Sequence, residues 1–349
     1  MKTLRSLLAF ALVLSFLLSL VGCGYTPVKS TKAETAVILT LDGGFSVPYE
    51  LYRFYFLSEL SLAEIDPAAL TEEEKQAVFA ETHQKALEEI SLVYAVIKLA
   101  SENGIDTESR AFDKYVKENV IAAIEGDENY VGYGDKATYL AEIEKAYMND
   151  SVFRFLLRYR YAEEKLGAQL RDTGALGSSE ENVLSYMNSD ECVRVSWIYI
   201  PYTVLSGYTA QKLADMEADA KAASNEGFLA MTHKGLPDLY TDEELDRGFY
   251  IGKYQLDPYY AALTETAFSL EIGETSSFID SGDGIYLVRR LPKDGAYLSD
   301  AKNLPDFTEY YLLNTFYGLL AEEGARLASS AVMTELFATV SLDTLQPAD

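Results

Sequence analysis

The sequence is poor in histidine, cysteine and basic residues, and each shortage excludes a class of protein. Its 349 residues include two His and two Cys, which argues against a zinc cage, an iron–sulfur cluster or a disulfide scaffold. Lys and Arg number 29 against 55 Asp and Glu, giving a formal net charge of −26. A protein that binds nucleic acid through its phosphates needs clustered cations. We therefore expect no metal ion, no cofactor and no nucleic-acid partner.

Apolar and aromatic residues are abundant. Apolar types make up 48% of the chain, and 26 Tyr and 16 Phe accompany a single Trp. This balance is typical of a globular protein rather than a disordered one. At roughly 100–200 residues per domain, the length predicts two or three domains with ample chain for a core.

The amino terminus has the pattern of an export signal. Lys2 and Arg5 precede an apolar run from Leu7 to Val21. That run is shorter than the roughly 20 residues of a membrane span and is typical of a signal peptide. We expect residues 1–22 to be removed after export, so the protein should act outside the cytoplasm.

The end of this segment, Leu20-Val21-Gly22-Cys23, resembles a bacterial lipobox. The resemblance implies that Cys23 receives a diacylglyceryl group and becomes the first residue of the mature protein, held at the bacterial cell membrane. Residues 23–35 are polar and would form the lipidated tether. An ordinary signal peptide with an incidental cysteine is the alternative. If Cys23 carries the lipid, Cys192 has no intramolecular partner, and we expect it to be a small buried apolar group.

Residues 36–190 are predicted to be almost wholly helical after a short strand at 36–41. A helix should open near Ser46, and apolar residues three or four apart predict a long helix from about Thr71 to Ser101. His83 falls in that apolar series, so we expect a core histidine with a satisfied ring. A second long helix is predicted from Lys136 to Arg171, and a capping box follows at Ser178 and Glu181.

Residues 193–292 have a different pattern, richer in strands. Val193 to Tyr202 reads as a strand and Thr209 to Ala223 as a helix. Two further strands, Thr275 to Ile279 and Ile285 to Leu291, should be joined by a plain hairpin turn. Beyond Pro292 the chain is predicted to be helical again as far as Leu336. His233, in a loop, has no partner evident from the sequence, so we expect a surface histidine.

Five segments in and around this stretch resemble the SurA/PrsA-type extracytoplasmic foldases. They are VRVSWIYI from Val193, GFLAM from Gly227, GFYIGKY from Gly248, AFSLEIGETS from Ala267 and GIYLVRRL from Gly284. In that family a helical chaperone domain flanks a parvulin-like (PpiC-type) peptidylprolyl isomerase domain. The resemblance implies an α+β fold with a helical domain at 36–190, a parvulin-like domain at 193–292, and a carboxy-terminal helical segment, 293–349, that packs on the helical domain.

The chain departs from this family at the positions that carry catalysis. Trp197 stands where the opening strand has a histidine, Tyr250 where the following turn has Asp or Cys, and Tyr286 where the closing strand has a histidine. The apolar wall that holds the prolyl ring in this family is better preserved: Leu256 stands where the family has a methionine, and Phe268 where it has a phenylalanine. Tyr199 and Tyr254 are further candidates for substrate binding.

These substitutions leave three interpretations open. The favoured one is a membrane-anchored foldase or chaperone that binds unfolded or proline-containing segments of secreted proteins, with weak or lost isomerase activity. The alternative is an active isomerase whose pocket is rebuilt from tyrosines, since phenolic hydroxyls can donate hydrogen bonds at neutral pH. A solute-binding lipoprotein is disfavoured by the helical amino-terminal half. The sequence leaves the oligomeric state open.

Overall fold

The computed structural model describes residues 36–63, 65–127, 131–233, 240–254, 260–299 and 302–345. The expected signal peptide, Cys23 and the tether lie outside these ranges. Within them, no helix combines the length and the apolar character needed to cross a membrane.

The chain is an α+β protein. Its strands are β1 (Val37–Leu41), β2 (Phe45–Pro48), β3 (Cys192–Pro201), β4 (Phe249–Gly252), β5 (Ile279–Asp280), β6 (Gly284–Leu291) and β7 (Val332–Met333). Its helices are α1 (Tyr49–Leu62), α2 (Glu72–Glu102), α3 (Arg110–Glu125), α4 (Lys136–Lys145), α5 (Asp150–Asp172), α6 (Glu180–Asn188), α7 (Tyr202–Leu205), α8 (Ala210–Ala222), α9 (Asn225–Thr232), α10 (Asp242–Arg247), α11 (Ala261–Ser269), α12 (Asn303–Ser329) and α13 (Leu342–Leu345). Short 3₁₀ turns lie at Pro67–Ala69, Tyr297–Ser299 and Phe337–Thr339.

The chain divides into two compact units. The first comprises the described residues up to Gln169 and from Leu320 onwards, and the second comprises those from Leu170 to Leu319. Both boundaries fall inside long helices, α5 and α12. The second unit therefore begins before and ends after the expected parvulin-like segment, 193–292. Aromatic contacts explain the difference: Phe307 at the start of α12 packs against Tyr186 of α6 and Tyr250 of β4.

The first unit contains a three-stranded sheet in the order β2-β1-β7. A tight turn joins β1 to β2, with both central glycines, Gly43 and Gly44, in the left-handed region. This hairpin corrects the predicted helix start, because the chain stays extended from Phe45 to Pro48 and α1 begins at Tyr49. The carboxy-terminal prediction is also corrected, since α12 ends at Ser329 and β7 pairs with β1.

Two long helices were expected in the first unit, and the second of them is divided in the structure. α2 begins as predicted, with a capping box between Thr71 and Glu74, and its His83 shares a 3.0 Å hydrogen bond with the Tyr52 hydroxyl. The expected helix from Lys136 to Arg171 is instead α4 and α5. The chain breaks at Tyr147, whose φ of 59° is left-handed, and the Asn149 side chain accepts from the Val152 N–H to start α5.

The second unit contains a four-stranded antiparallel sheet in the order β4-β3-β6-β5. Because side chains alternate along a strand, β3 presents Val193 and Val195 to one face, where they pack with Leu263 and Ala267 of α11. We name this face the α11 face. Ile198 and Leu287 point to the opposite face and pack against α8 and α9; we name it the α8/α9 face.

Two local predictions in this unit are corrected. The cap of α6 is Ser179, whose hydroxyl accepts from the Asn182 N–H, rather than Ser178. The predicted strand from Thr275 to Ile279 is reduced to one bridge between Thr275 and Arg289 followed by the two-residue β5. In both cases the element lies where it was expected and its ends differ.

Candidate functional site

A cavity of about 430 Å³ lies within the second unit. Its size is in the range of pockets that hold small ligands or short peptide segments. Aromatic rings make up much of its wall. The described lining residues are Trp197, Tyr240, Arg247, Gly248, Phe249, Tyr250, Ile251, Tyr260, Leu263, Thr264, Tyr286, Tyr297, Asp306, Phe307 and Tyr310.

One wall is a cluster of packed rings on the α11 face. Trp197 stacks on Phe249 with ring centroids 4.0 Å apart and planes 9° from parallel. Tyr240 meets the edge of Phe249 at 5.0 Å, and Tyr286 meets Trp197 edge-on at 6.3 Å. The strand register creates this cluster, because residues paired across a ladder lie on the same face: Val195 pairs with Phe249, and Tyr199 pairs with Tyr286.

The Tyr286 hydroxyl is engaged by a carboxylate. It donates to Asp283 Oδ1 at 3.1 Å, and the Tyr199 hydroxyl donates to Oδ2 of the same residue at 3.1 Å. The two phenol rings are stacked at 4.6 Å. Burial, followed by the Asp283 charge, raises the pKa of Tyr286 well above its ordinary value. Burial and the hydrogen bond to Asp283 raise the pKa of Tyr199 to about 12. Both phenols therefore stay protonated at neutral pH and donate their hydrogen bonds to Asp283.

Tyr250 does not join Trp197 and Tyr286 on the α11 face. It pairs with Arg194 in the β3–β4 ladder, so it points to the opposite face. There its ring lies 4.7 Å from that of Tyr297, and its hydroxyl accepts from the Asp294 N–H at 3.1 Å. Burial raises the pKa of Tyr250. The neighbouring residue, Phe249, takes the place beside Trp197 that was expected for Tyr250.

The remaining candidate residues either do not line the cavity or lie outside the residues that the structure describes. Phe268 packs at the margin of the core under the α11 face and is not among the described lining residues. Tyr254 lies against Gly318 of α12, where an added Cβ would meet its ring at 3.0 Å. Tyr199 reaches the cavity only through its stack on Tyr286. Leu256 lies outside the described residues.

Polar groups that the sequence did not identify also line the cavity. The Arg247 guanidinium lies 5.4 Å from the centre of the Tyr297 ring and donates to Asn303 Oδ1 at 3.1 Å. Its buried Nε has no hydrogen-bond partner among the described residues. The buried indole N–H of Trp197 approaches the Tyr240 hydroxyl without the alignment of a hydrogen bond.

The signals for these missed residues were weak. Phe249 lies two residues before the apolar Ile251, and this alternation within the strand is the signal that places it on the buried face. Asp283 is predicted to lie in a plain turn, and the turn does form. Its carboxylate also accepts hydrogen bonds from Tyr199, 84 residues earlier, and from Tyr286, three residues later. Arg247 ends a short helix, and local sequence gives no sign that it lines a cavity.

Comparison with known proteins finds similarity in solved structures alone: no protein-family model and no curated protein matches the chain. Foldase protein PrsA from Streptococcus pneumoniae is 14% identical, with 89% of this chain and 97% of that chain covered and a TM-score of 0.29. PrsA from Bacillus subtilis is 14% identical, with 85% and 93% covered and a TM-score of 0.24. Foldase protein PrsA from Lactococcus lactis is 15% identical, with 87% and 98% covered and a TM-score of 0.25. At these values the likeness does not assign a function.

His233 was expected to be a surface histidine with no evident partner, and Cys192 a buried apolar group; the structure supplies two partners for His233. Both ring nitrogens of His233 face carboxylates, Asp242 at 3.1 Å and Asp246 at 2.8 Å. Carboxylates only accept, so both nitrogens donate. The hydrogen bond to Asp246, followed by that to Asp242, raises the pKa of His233. Cys192 is a free, fully buried thiol, and burial raises its pKa to about 12.

Within the described ranges, no group of three or more His, Cys, Asp and Glu side chains is arranged to hold a metal ion. The cavity lining offers a ligand aromatic faces, the Arg247 guanidinium, the Asp306 carboxylate, the Thr264 hydroxyl, phenol hydroxyls and the backbone of residues 248–251. Among the phenols, that of Tyr286 already donates a hydrogen bond to Asp283.

Proposed function

We propose that the protein is an extracytoplasmic foldase or chaperone whose second unit binds apolar, aromatic or proline-containing segments of unfolded secreted polypeptides. The aromatic cavity supports this proposal. Stiff rings such as Trp197 and Phe249 supply a large contact area at a small entropic cost, and they accept side chains of varied shape. A surface of this kind suits clients that differ in sequence.

We further propose that prolyl isomerase activity is weak or absent. The barrier to rotation about a peptide bond is about 18–20 kcal/mol, and a catalyst lowers it with hydrogen-bond donors aimed at the charge that develops. The observation that carries this part is the bonding of Tyr199 and Tyr286 to Asp283. Phenols that have donated to a carboxylate are not available to a twisted amide.

A protease-coupled proline assay on the full chain tests the catalytic part of the proposal. We expect a rate close to that of the uncatalysed peptide. As a control, the double variant Trp197→His with Tyr286→His introduces imidazoles at two positions that share the α11 face. A wild-type rate typical of active parvulins would refute the proposal.

Suppression of client aggregation tests the binding part. Phe249→Ala removes a ring from the cavity wall, whereas Phe268→Ala removes the same ring from a partly buried position that is not among the described lining residues. We expect the first variant to suppress aggregation of an unfolded client less well than wild type, and the second to match wild type at equal folded concentration. Equal behaviour of the two variants would contradict binding in this cavity.

Residual isomerase activity is the second candidate function, and Arg247 is the observation that favours it. Its guanidinium lines the cavity, carries a positive charge and has an Nε without a described partner. A cation there could hydrogen-bond the carbonyl oxygen of a rotating prolyl bond. Catalysis that Arg247→Met abolishes while client binding persists would support this candidate.

We propose that the protein reaches its clients as a lipoprotein, exported by residues 1–22 and anchored through Cys23. The support is the apolar run followed by the lipobox-like sequence. Incorporation of a labelled fatty acid tests the anchor. We expect label in the membrane-associated protein and none in Cys23→Ala, which should be released from the membrane; labelling that persists in the variant would refute lipidation at Cys23.

A further inference from the structure

The strand β4 turns its free edge towards the cavity. It is the outermost strand of the sheet on that side, and the consecutive residues Gly248–Ile251 all line the cavity. Side chains alternate between faces along a strand, so a cavity on one face would touch every second residue. Contact with consecutive residues indicates that the backbone edge itself borders the space.

The ladder with β3 leaves both the N–H and the C=O of one residue on this edge, Tyr250, without a partner among the described residues. The Lys253 N–H donates to Glu191 O at 2.9 Å, which marks a hydrogen-bonded pair. Alternation in an antiparallel ladder then points the N–H and C=O groups of Tyr250 and Gly252 away from β3. The Gly252 N–H donates to the Tyr310 hydroxyl. No described residue bonds the N–H or C=O of Tyr250.

Aromatic side chains lie on both faces of the sheet beside the β4 edge. Phe249 and Trp197 lie on the α11 face. The Tyr250 ring, Tyr297 and Phe307 lie on the other. An extended chain lying along β4 would direct its side chains alternately to these two walls, because its own side chains also alternate.

The charges near the edge favour a neutral or basic occupant. Asp306 lines the cavity, and α10, which leads directly into β4, carries Asp242, Glu243, Glu244 and Asp246. The chain as a whole has a formal charge of −26. Arg247, together with His233, which donates to Asp242 and Asp246, offsets part of this charge, and Glu243, Glu244 and Asp306 leave the surroundings acidic. Complementary charge steers a partner and excludes those of like charge.

We propose that the client binds as an additional strand on the β4 edge, pairing its backbone with the N–H and C=O of Tyr250. The occupant is an extended segment of an unfolded polypeptide with apolar residues and flanking Lys or Arg. Main-chain hydrogen bonds supply affinity in this binding mode, and the alternating walls supply selectivity. This inference rests on the proposed client-binding function and adds the conformation and charge of the bound segment.

N-methylation of a peptide probe tests the pairing without changing the protein. The probe is acetyl-Lys-Val-Thr-Phe-Thr-Val-Lys-amide, and binding to the full chain is followed by the fluorescence of Trp197, the single tryptophan. A methyl group is placed on the amide nitrogen of each inner residue in turn. We expect affinity to fall about tenfold or more where the lost N–H faces Tyr250, and little at the positions beside it.

One sensitive position flanked by near-neutral ones supports strand pairing whatever the exact register. Binding that is equally insensitive, or equally sensitive, to methylation at every position would overturn the inference while leaving the client-binding function in place. Absence of any peptide binding would refute both the strand pairing and the proposed client-binding function. A probe with Glu in place of the two Lys should bind more weakly; equal binding would refute the charge preference.

A second measurement identifies the edge directly. The amide resonance of Tyr250 in ¹⁵N-tyrosine-labelled protein is assigned by its disappearance in Tyr250→Phe, which keeps the backbone N–H. We expect slower hydrogen exchange at this amide when the probe is bound. Unchanged exchange at saturation, or a dimer that forms through this edge and excludes the probe, would contradict the proposal.

Discussion

Asp283 should stabilise the second unit through the two phenols that it bonds. The change to test is Asp283→Ala, which removes both acceptor oxygens at once. Tyr286 is 3% exposed, so its hydroxyl would be left in the interior without its carboxylate partner. Tyr199 is less deeply placed, and water can replace the lost bond there.

The expected magnitude follows from these two environments. Hydrogen bonds to charged groups contribute about 1.5–3 kcal/mol, and ordinary ones about 0.5–1.5 kcal/mol. Because Asp283 itself is exposed, we take the lower end, about 1.5 kcal/mol for the bond to Tyr286 and about 0.5 kcal/mol for that to Tyr199. Asp283→Ala should therefore lower the free energy of unfolding by about 2 kcal/mol. Asp283→Asn keeps one acceptor oxygen and should lose about half of this.

Urea unfolding followed by Trp197 fluorescence measures this effect, because the single tryptophan belongs to the second unit. Asp280→Ala is the matched control. It removes a carboxylate from the same turn, but one whose partner, Tyr202, is 42% exposed. We expect the control to stay within about 0.5 kcal/mol of wild type.

A double-mutant cycle between Asp283→Ala and Tyr286→Phe isolates the pair. We expect a coupling free energy of about 1 kcal/mol. A coupling near zero, or an Asp283→Ala variant as stable as wild type, would show that the Tyr286 proton is not held by Asp283. The Tyr286 hydroxyl would then be free to donate to a bound amide, and weak isomerase activity would no longer be expected.

Three further predictions concern pH, reactivity and backbone strain. Burial raises the pKa of Glu163 from its ordinary 4.5 to about 7, so the folded state holds the proton that the unfolded state has lost. Stability of the first unit should therefore fall as pH rises from about 4.5 to 7, by about 2–3 kcal/mol. Urea unfolding monitored by circular dichroism should show this fall, and Glu163→Gln should remove it; an unchanged slope in the variant would contradict the assignment. The buried Cys192 thiol should react with a disulfide reagent at pH 8 only after unfolding, and rapid labelling of the native protein would disprove its burial. Gly248 has a φ of 69°, and an added Cβ would lie 2.6 Å from Val195 O, so Gly248→Ala should cost about 1–3 kcal/mol, whereas the unobstructed Gly295→Ala should cost less than about 0.5 kcal/mol.

Local patterns in the sequence predicted most of the individual elements. The Thr71 capping box and the helical period located α2, and alternation of β-branched and aromatic residues located β3. Both signals act between residues that are near in sequence, so they are present in the chain before it folds. Where two such signals overlapped, as between α4 and α5, the apolar period concealed the break at Tyr147.

Features that depend on distant partners were missed. β7 is a two-residue strand that forms by pairing with β1 nearly 300 residues earlier, and nothing local distinguishes it from the end of a helix. The carboxylates that bind His233 come from another helix, α10. Asp283 belongs to a turn whose local form was predicted, while its role follows from the packing of β3 against β6.

The position of Tyr250 shows why a site cannot be read from residue types alone. A shift of one residue along a strand moves a side chain to the other face of the sheet. Family motifs align Tyr250 with a polar catalytic residue, yet the ladder assigns the place beside Trp197 to Phe249. The α11 face is therefore aromatic at all three of its central positions, 197, 249 and 286, and its phenol is bonded to Asp283. Tyr250 contributes to the cavity in another way: its ring forms part of the opposite wall, and its backbone N–H and C=O have no partner among the described residues. A site with rings on both sides of a strand edge, in which the Tyr286 hydroxyl already donates to Asp283, is suited to holding an extended chain rather than to rotating one of its bonds.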